Sequence, residues 1–114
     1  MDYICFMRQM KQPKIEDVDL VDIMYALSDS TRLEIVRHLA ENRRAMTCGE
    51  LDLNRPKSSM SHHFKILRGA GLVSTVIDGT EHLNSLRLKE MEARFPKVLS
   101  SILKSLIKLN TLAL

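Results

Sequence analysis

The chain has 114 residues, of which 45% are apolar and 27% are charged, and its formal net charge is +3 at pH 7. This length supports one domain with a compact core, although a domain of this size is commonly marginal without a partner. No early apolar stretch has the form of a signal peptide and no later run approaches the length of a membrane span, so we expect a cytoplasmic protein. The positive sign favours nucleic acid or another anionic surface as a partner.

The first part of the chain is predicted to hold an arm and two helices. Residues 1–14 lack clear periodicity and end beside a proline, which predicts an N-terminal arm. From residue 15, apolar side chains recur at helical spacing with carboxylates in the first turn, so a first helix of about three turns is expected up to Leu27. Asp29 is the predicted N-cap of a second helix that should end near Asn42.

Two further helices are predicted around a tight turn. Thr47, followed three residues later by a glutamate, forms a capping-box pattern that predicts a short third helix from Cys48 to about Leu53. A turn at residues 55–57 follows, and Ser58 is predicted to cap a fourth helix. Two short helices joined in this way are typical of a helix-turn-helix, whose second helix enters the DNA major groove.

The fourth helix lies within residues 53–77, a stretch without Asp or Glu although carboxylates are scattered through the rest of the chain. Its apolar residues fall on one side and its polar residues on the other. Cations and hydrogen-bonding groups without a neighbouring carboxylate suit a DNA phosphate backbone. The side chains predicted to contact DNA are Lys57, Ser58, Ser59, Ser61, His62, His63, Lys65 and Arg68. Ser59 and His62 are expected at base edges, and Ser58, Ser61, the lysines and the arginine at phosphates.

After the fourth helix the sequence period changes to two. Residues 72–77 are rich in β-branched side chains, the Asp-Gly pair at 78–79 is a strong hairpin signal, and residues 81–88 alternate apolar with polar. A hairpin directly after the basic helix is predicted to be a wing, with Gly79 and Thr80 touching DNA at its tip. An edge ribbon packed on the helices is the alternative interpretation.

The last segment is predicted to assemble two copies of the chain. From Pro96 onward its apolar stripe is too wide for one contact surface, and packing it against a second copy, together with the first helix, would bury it in a two-fold interface. The predicted interface residues, within a dimerisation helix of about 96–112, are Leu99, Ile102, Leu103, Leu106 and Leu109. A membrane-surface helix is the alternative, because lysines beside an apolar face favour anionic lipid.

Three stretches resemble the ArsR/SmtB family of winged-helix repressors. They are ALSDSTRLEIVRHL at 26–39, SSMSHHFKILRGAGLV at 58–73 and DGTEHLNSLRL at 78–88, and together they cover most of residues 15–95. The resemblance implies that residues 15–114 form a winged helix-turn-helix, mainly α-helical with a β-hairpin wing. It also implies a homodimer, joined through the first and last helices, that represses transcription and leaves its operator when an inducer binds.

The chain departs from the metal-sensing pattern of that family. Metal-sensing members often carry a Cys-x-Cys pair in the third helix, where this chain has Cys48 alone, and others place ligands on the last helix. Residues 89–114 contain neither His nor Cys. Because soft and borderline transition metals need two or more nitrogen or sulfur ligands, we predict no metal site and no cofactor.

Cys48 is the residue just inside the predicted cap of the third helix. A thiol near the positive end of a helix has a lowered pKa and a raised reactivity, so Cys48 is a candidate oxidant sensor with Cys5 of the arm as its candidate partner. A small buried side chain is the alternative. The two cysteines lie far apart in sequence, outside any disulfide framework, and both are expected to be reduced.

Function is predicted to lie in binding rather than catalysis. No Gly-rich phosphate loop, nucleophile elbow or carboxylate pair stands out, which argues against an enzyme. The expected partners are double-stranded DNA with a near-palindromic operator, a second copy of the chain, and a small-molecule or oxidant inducer. A winged-helix module for protein interaction or dimerisation without DNA binding is the main alternative, because this fold is reused for protein contacts.

Overall fold

A computed structural model describes residues 7–51 and 53–112 of the chain, with side chains described within 8–51 and 53–106. The elements in chain order are β1 (Met7–Gln9), a 3-10 turn (Ile15–Asp17), α1 (Leu20–Ala26), α2 (Ser30–Asn42), α3 (Cys48–Leu51), α4 (Lys57–Gly69), β2 (Val73–Asp78), β3 (Glu81–Leu86), α5 (Leu88–Arg94) and α6 (Val98–Leu112). The strands form one antiparallel sheet in the order β1-β2-β3. The predicted fold class, mainly α-helical with a hairpin wing, is confirmed.

The wing hairpin forms where the Asp-Gly pair predicted it. β2 and β3 pair from Val73 opposite Leu86 to Asp78 opposite Glu81. At the turn Gly79 adopts a φ of 63°, the left-handed region that glycine enters without a steric penalty. Strand β3 ends at residue 86, slightly earlier than the predicted end at residue 88.

β1 is a third strand that was not predicted. Residues 7–9 belong to the predicted arm, but they pair antiparallel with β2, with Arg8 opposite Ile77. The side chain of Gln9 also donates a hydrogen bond to the hydroxyl of Ser74 at 2.6 Å. The open edge of β2 satisfies the strand's backbone groups, so no periodicity of its own is needed. Residues 1–6, including Cys5, lie outside the described residues.

The first predicted helix is divided in two, and the prediction of one continuous helix is wrong. Asp19 has an extended backbone, and its carboxylate accepts a hydrogen bond from the Val21 N–H at 3.0 Å, so α1 starts afresh after it. The preceding Val18 points into the core. It packs on Gly71, where an added Cβ would lie 2.4 Å from a Val18 methyl group. This tertiary contact fixes the break between the 3-10 turn and α1.

The predicted caps of α2 and α3 are confirmed, and that of α4 is wrong. The Asp29 carboxylate accepts from the Arg32 N–H at 3.0 Å. Thr47 and Glu50 exchange the two hydrogen bonds of a capping box, at 2.9 and 3.2 Å. The N-cap of α4 is Pro56, whose extended backbone places Ser58 already inside the helix.

The core takes apolar side chains from every helix and from β2. Its fully buried members include Ile23, Ile35, Leu39, Leu67, Leu72, Met91 and Leu99. The short helix α5 was not predicted, and it adds Met91 to this core. Lys97 has a φ of 67° and separates α5 from α6. Core formation therefore uses the last helix as well as the helix-turn-helix.

Two residues predicted at the dimer interface lie instead in the core of their own chain. Leu99 is 1% exposed and Leu103 is 6% exposed, so neither is available to a second copy. Ile102 is partly buried against the same core. Leu106 is half-buried, and the side chain of Leu109 lies outside the described residues. The apolar stripe of α6 therefore faces its own chain along at least one side.

Candidate nucleic-acid interface

α3, the turn and α4 form the predicted helix-turn-helix. Met60, Phe64 and Leu67 are buried, as the helical spacing predicted, and this orients the opposite side of α4 to solvent. Arg55 in the turn donates a hydrogen bond to the Thr31 hydroxyl at 3.3 Å, which ties the turn to α2. The orientation of α4 is thus fixed by apolar packing and by a polar contact.

The solvent side of α4 carries most of the side chains predicted to meet DNA. The exposed ones are Lys57, Ser58, Ser61, His62 and Lys65. The partly covered ones are Ser59, His63 and Arg68. The exposed set contains two ammonium groups and no carboxylate, which is the composition that phosphate binding requires.

The wing stands beside this helix and leaves a cleft between them. This helix–wing cleft has a volume of about 430 Å³, and its walls include Lys57, Ser61 and Arg68 from α4 with Thr80 and Glu81 from the hairpin. The structure therefore brings the α4 residues and the predicted wing tip to one surface. Cationic and hydroxyl groups line this surface, with one carboxylate among the lining side chains described.

A buried polar network connects α4, the wing and the segment before α3. Arg68 Nη1 lies 3.4 Å from the Thr75 hydroxyl, which donates to Asn84 Oδ1 at 2.7 Å. Asn84 Nδ2 donates to the Met46 carbonyl at 3.2 Å. Thr75 and Asn84 are both buried, so these bonds satisfy groups that would otherwise be costly to bury. The network was not predicted from the sequence. The feature that indicates it is Asn84, a polar residue on the inward side of β3.

Arg68 is drawn towards the sheet rather than fully into solvent. Burial lowers the pKa of its guanidinium from the ordinary value. No carboxylate lies within ion-pair distance of Arg68 among the described residues. One donor of the guanidinium is engaged with Thr75, and the Arg68 side chain also lines the helix–wing cleft.

His63 lies on the inner side of α4, against α2, although it was predicted to contact DNA. Its Nδ1 is 3.2 Å from Arg32 Nη1 and 3.8 Å from the Asp29 carboxylate. Burial lowers the pKa of His63, and the Asp29 carboxylate partly opposes this effect. Adjacent residues of a helix point about 100° apart, so the side chain of His62 faces solvent while that of His63 faces α2.

Cys48 does not have the electrostatics expected of a thiolate sensor. Burial raises the pKa of its thiol, and the nearby Lys57 ammonium only partly opposes this. α3 spans only Cys48–Leu51, so its dipole is small. The expectation of a lowered pKa is wrong, and Cys48 fits the alternative of a small, partly buried side chain at the cleft.

Within residues 7–51 and 53–112, no three His, Cys, Asp or Glu side chains are grouped so that they could hold a metal ion. None of the helices described there is long and apolar enough to cross a membrane.

A helix-turn-helix whose second helix is basic and carboxylate-free, followed at once by an antiparallel hairpin, defines the winged helix-turn-helix class of DNA-binding domains. A family model described as a helix-turn-helix domain matches residues 27–76. The chain is 37% identical over 102 residues to the uncharacterized HTH-type transcriptional regulator YceK of Bacillus subtilis, covering 88% of this chain and 99% of that protein. The chain belongs to the family of helix-turn-helix transcriptional regulators.

A second relative comes from Methanocaldococcus jannaschii and is likewise named an uncharacterized HTH-type transcriptional regulator. It is 42% identical over 60 residues, which cover 52% of this chain and 67% of the relative. Both relatives are named as HTH-type transcriptional regulators and the matched family as a helix-turn-helix domain, which supports a DNA-binding regulator.

Proposed function

We propose that the chain is a homodimeric transcriptional repressor of the ArsR/SmtB type that binds a near-palindromic operator. The observation that carries the proposal is the solvent side of α4, where Lys57 and Lys65 stand beside hydroxyl and imidazole groups without a carboxylate. A protein-interaction surface has no reason to exclude carboxylates over such a length. A DNA duplex does, because each carboxylate would face phosphates.

The contacts divide between phosphates and bases. Lys57 and Lys65 hold phosphates, which position the domain without reading sequence. His62 is exposed near the middle of α4 and reaches a base edge in the major groove. Gly79 and Thr80 at the exposed wing tip approach the adjacent backbone. Ser59 is partly covered and has a smaller share of base contacts than His62.

The second copy of the chain packs on α1. Helix α1 exposes the side chains of Leu20, Val21, Met24 and Tyr25, and Val21 is 70% exposed and Tyr25 61% exposed. Positions separated by four residues share a helix face, so these four form one apolar surface on a helix of seven residues. Burying this surface with the outer side of α6 against its copy supports the dimer, in place of the interface centred on Leu99 and Leu103.

Release from the operator follows from the two-fold arrangement. The two α4 helices reach successive major grooves only when their spacing matches about one turn of DNA. An inducer that binds a different spacing more tightly shifts the dimer away from DNA. The raised pKa of Cys48 favours a small molecule over an oxidant as this inducer.

Alanine substitutions on α4 test the assignment of contacts. Lys65→Ala is expected to weaken specific and non-specific binding alike and to reduce the salt slope by about 0.9 per phosphate contact. His62→Ala is expected to relax preference at one base position by about 1 to 3 kcal/mol, while binding to unrelated sequence changes little. Fluorescence anisotropy on operator and scrambled duplexes, at several salt concentrations, measures both effects.

Lys89→Ala is the matched control, because Lys89 is an exposed lysine on α5 and belongs neither to the α4 surface nor to the proposed dimer surface. Its affinity and salt slope should equal those of the wild type. An equal loss for Lys89→Ala and Lys65→Ala would show that only net charge matters, which contradicts the assigned surface.

A further inference from the structure

Arg32 is a buried cation that joins three helices. Its side chain is on α2, and the residue is 6% exposed. Its Nε donates to the Ala26 carbonyl at 2.6 Å and its Nη2 lies 3.4 Å from the Tyr25 carbonyl, both at the C-terminal end of α1. Its Nη1 lies 3.2 Å from His63 Nδ1 on α4. A single guanidinium thus contacts the helix of the proposed dimer surface and the helix of the proposed DNA surface.

Hydrogen bonds and an aromatic contact, rather than an ion pair, stabilise the buried guanidinium of Arg32. Burying a guanidinium is costly unless hydrogen bonds satisfy its donors. In the described part of the chain no carboxylate oxygen lies within ion-pair distance of this guanidinium. The Asp29 carboxylate accepts from the Arg32 backbone N–H and lies 3.8 Å from His63 Nδ1. The α1 carbonyls, the His63 ring and the face of Tyr25, whose centroid is 5.4 Å away, therefore stabilise the charge.

The contact between Arg32 and His63 requires a neutral imidazole. A guanidinium N–H can only donate, so Nδ1 of His63 must be the unprotonated acceptor and the ring proton lies on Nε2. Protonation of Nδ1 would set a donor against a donor and a cation beside a cation. The other groups that face His63 are Asp29 before α2, His62 on α4, whose ring centroid is 6.1 Å away, and Arg55 in the preceding turn.

We propose that Arg32 is a positioning residue, which holds α4 against the C-terminal end of α1 through neutral His63. The proposal rests on the proposed function, in which α4 enters the major groove and α1 forms the dimer. His62, the proposed base reader, is next to His63, so a displacement of His63 moves the reading side chain. Tyr25 contributes to the α1 surface and also covers the Arg32 guanidinium. The buried side chain of Arg32 therefore contacts both the helix of the proposed dimer surface and the helix of the proposed DNA surface.

Two substitutions at position 63 separate positioning from general stability. His63→Asn places an amide oxygen near the position of Nδ1, keeps the acceptor and removes the titration. His63→Leu fills similar space without an acceptor. We expect His63→Asn to retain operator affinity within about threefold and His63→Leu to lose about tenfold or more, the range of coupling through one contiguous contact.

A pH profile gives a readout that loss of packing alone would not produce. The folded-state pKa of His63 is lowered below its ordinary 6.5, chiefly by burial, so the neutral ring contributes fully above pH 6.5 and its contribution is lost as pH falls through the folded-state value. Between about pH 7.5 and about pH 5.5, wild-type affinity should fall relative to His63→Asn. Groups that both proteins share cancel in this ratio.

Amide hydrogen exchange of α4 without DNA completes the test, together with thermal unfolding of each variant. Faster exchange along α4 in folded His63→Leu than in folded His63→Asn supports the positioning role. This result stands even if the wild type binds no DNA, because the absence of DNA binding would contradict the proposed function alone. Equal exchange in the two variants overturns the positioning role. Where the wild type binds the operator, equal operator affinity of the two variants, or a flat pH ratio, does so as well.

Discussion

Replacing Met24 by Asp is expected to convert the dimer into a folded monomer and to remove most of the operator affinity. Met24 is 46% exposed on the apolar surface of α1, so an aspartate there meets solvent in the monomer but loses its hydration in the proposed interface. A buried, unpaired carboxylate costs several kcal/mol, which exceeds what a small interface can offset. A monomer engages one half-site only, and the loss of the second engagement reduces affinity by about 100-fold or more.

Sedimentation equilibrium and thermal unfolding of Met24→Asp should therefore show half the molecular mass with a cooperative transition. Leu88→Asp is the matched control, because Leu88 is 36% exposed at the start of α5, beside the C-terminal end of α2, and does not belong to the α1 surface. That variant should remain dimeric. A dimeric Met24→Asp protein would place the interface elsewhere, and a monomeric Leu88→Asp protein would shift it towards α5.

Replacing Gly71 by Ala is expected to destabilise the fold more than any other single methyl addition at a glycine of the described chain. Gly71 has a φ of 82°, and an added Cβ would lie 2.4 Å from a methyl group of the buried Val18. Left-handed backbone costs an alanine about 1 to 2 kcal/mol. Overpacking a core adds about 1 to 3 kcal/mol, which gives about 2 to 5 kcal/mol in total.

Gly79→Ala isolates the backbone part of this cost. Gly79 has a φ of 63° at the wing turn, with no atom within 4 Å of the added Cβ, so only the conformational cost of about 1 to 2 kcal/mol is expected. Urea unfolding of both variants measures the difference. Adding Val18→Ala to Gly71→Ala should recover part of the loss, because the clash is with the valine methyl. Equal destabilisation by the two glycine substitutions would contradict the packing of Val18 on Gly71.

Elements governed by local signals could be predicted from the sequence. The capping box at Thr47, the N-cap at Asp29 and the Asp-Gly turn each depend on side chains within four residues of the structure they determine. The apolar spacing of α4 placed Met60 and Phe64 in the core correctly. These signals carry the helix-turn-helix and the wing, and with them the class of the protein.

Elements governed by distant contacts could not be predicted. The break before α1 depends on Val18 packing on Gly71, and β1 depends on the free edge of β2. Helical periodicity placed Leu99 on an apolar stripe but cannot distinguish a core from an interface, since both are apolar and dry. In the candidate site, the sequence predicted a DNA contact for His63 from its place in the basic helix, and its inward position could not be predicted because its partner Arg32 lies on another helix.

The measurement that tests the central claim most directly is a salt-titrated binding assay of the wild type on the DNA upstream of its own gene, with a scrambled duplex as reference. Lys57 and Lys65 of two protomers together contact four phosphates in the proposed complex. The logarithm of the binding constant should therefore fall with the logarithm of salt concentration with a slope of about −3 to −4, and the upstream DNA should bind more tightly than the scrambled duplex. The absence of binding, or equal binding to both duplexes without dependence on salt, would contradict the assignment of α4 as a DNA-reading helix.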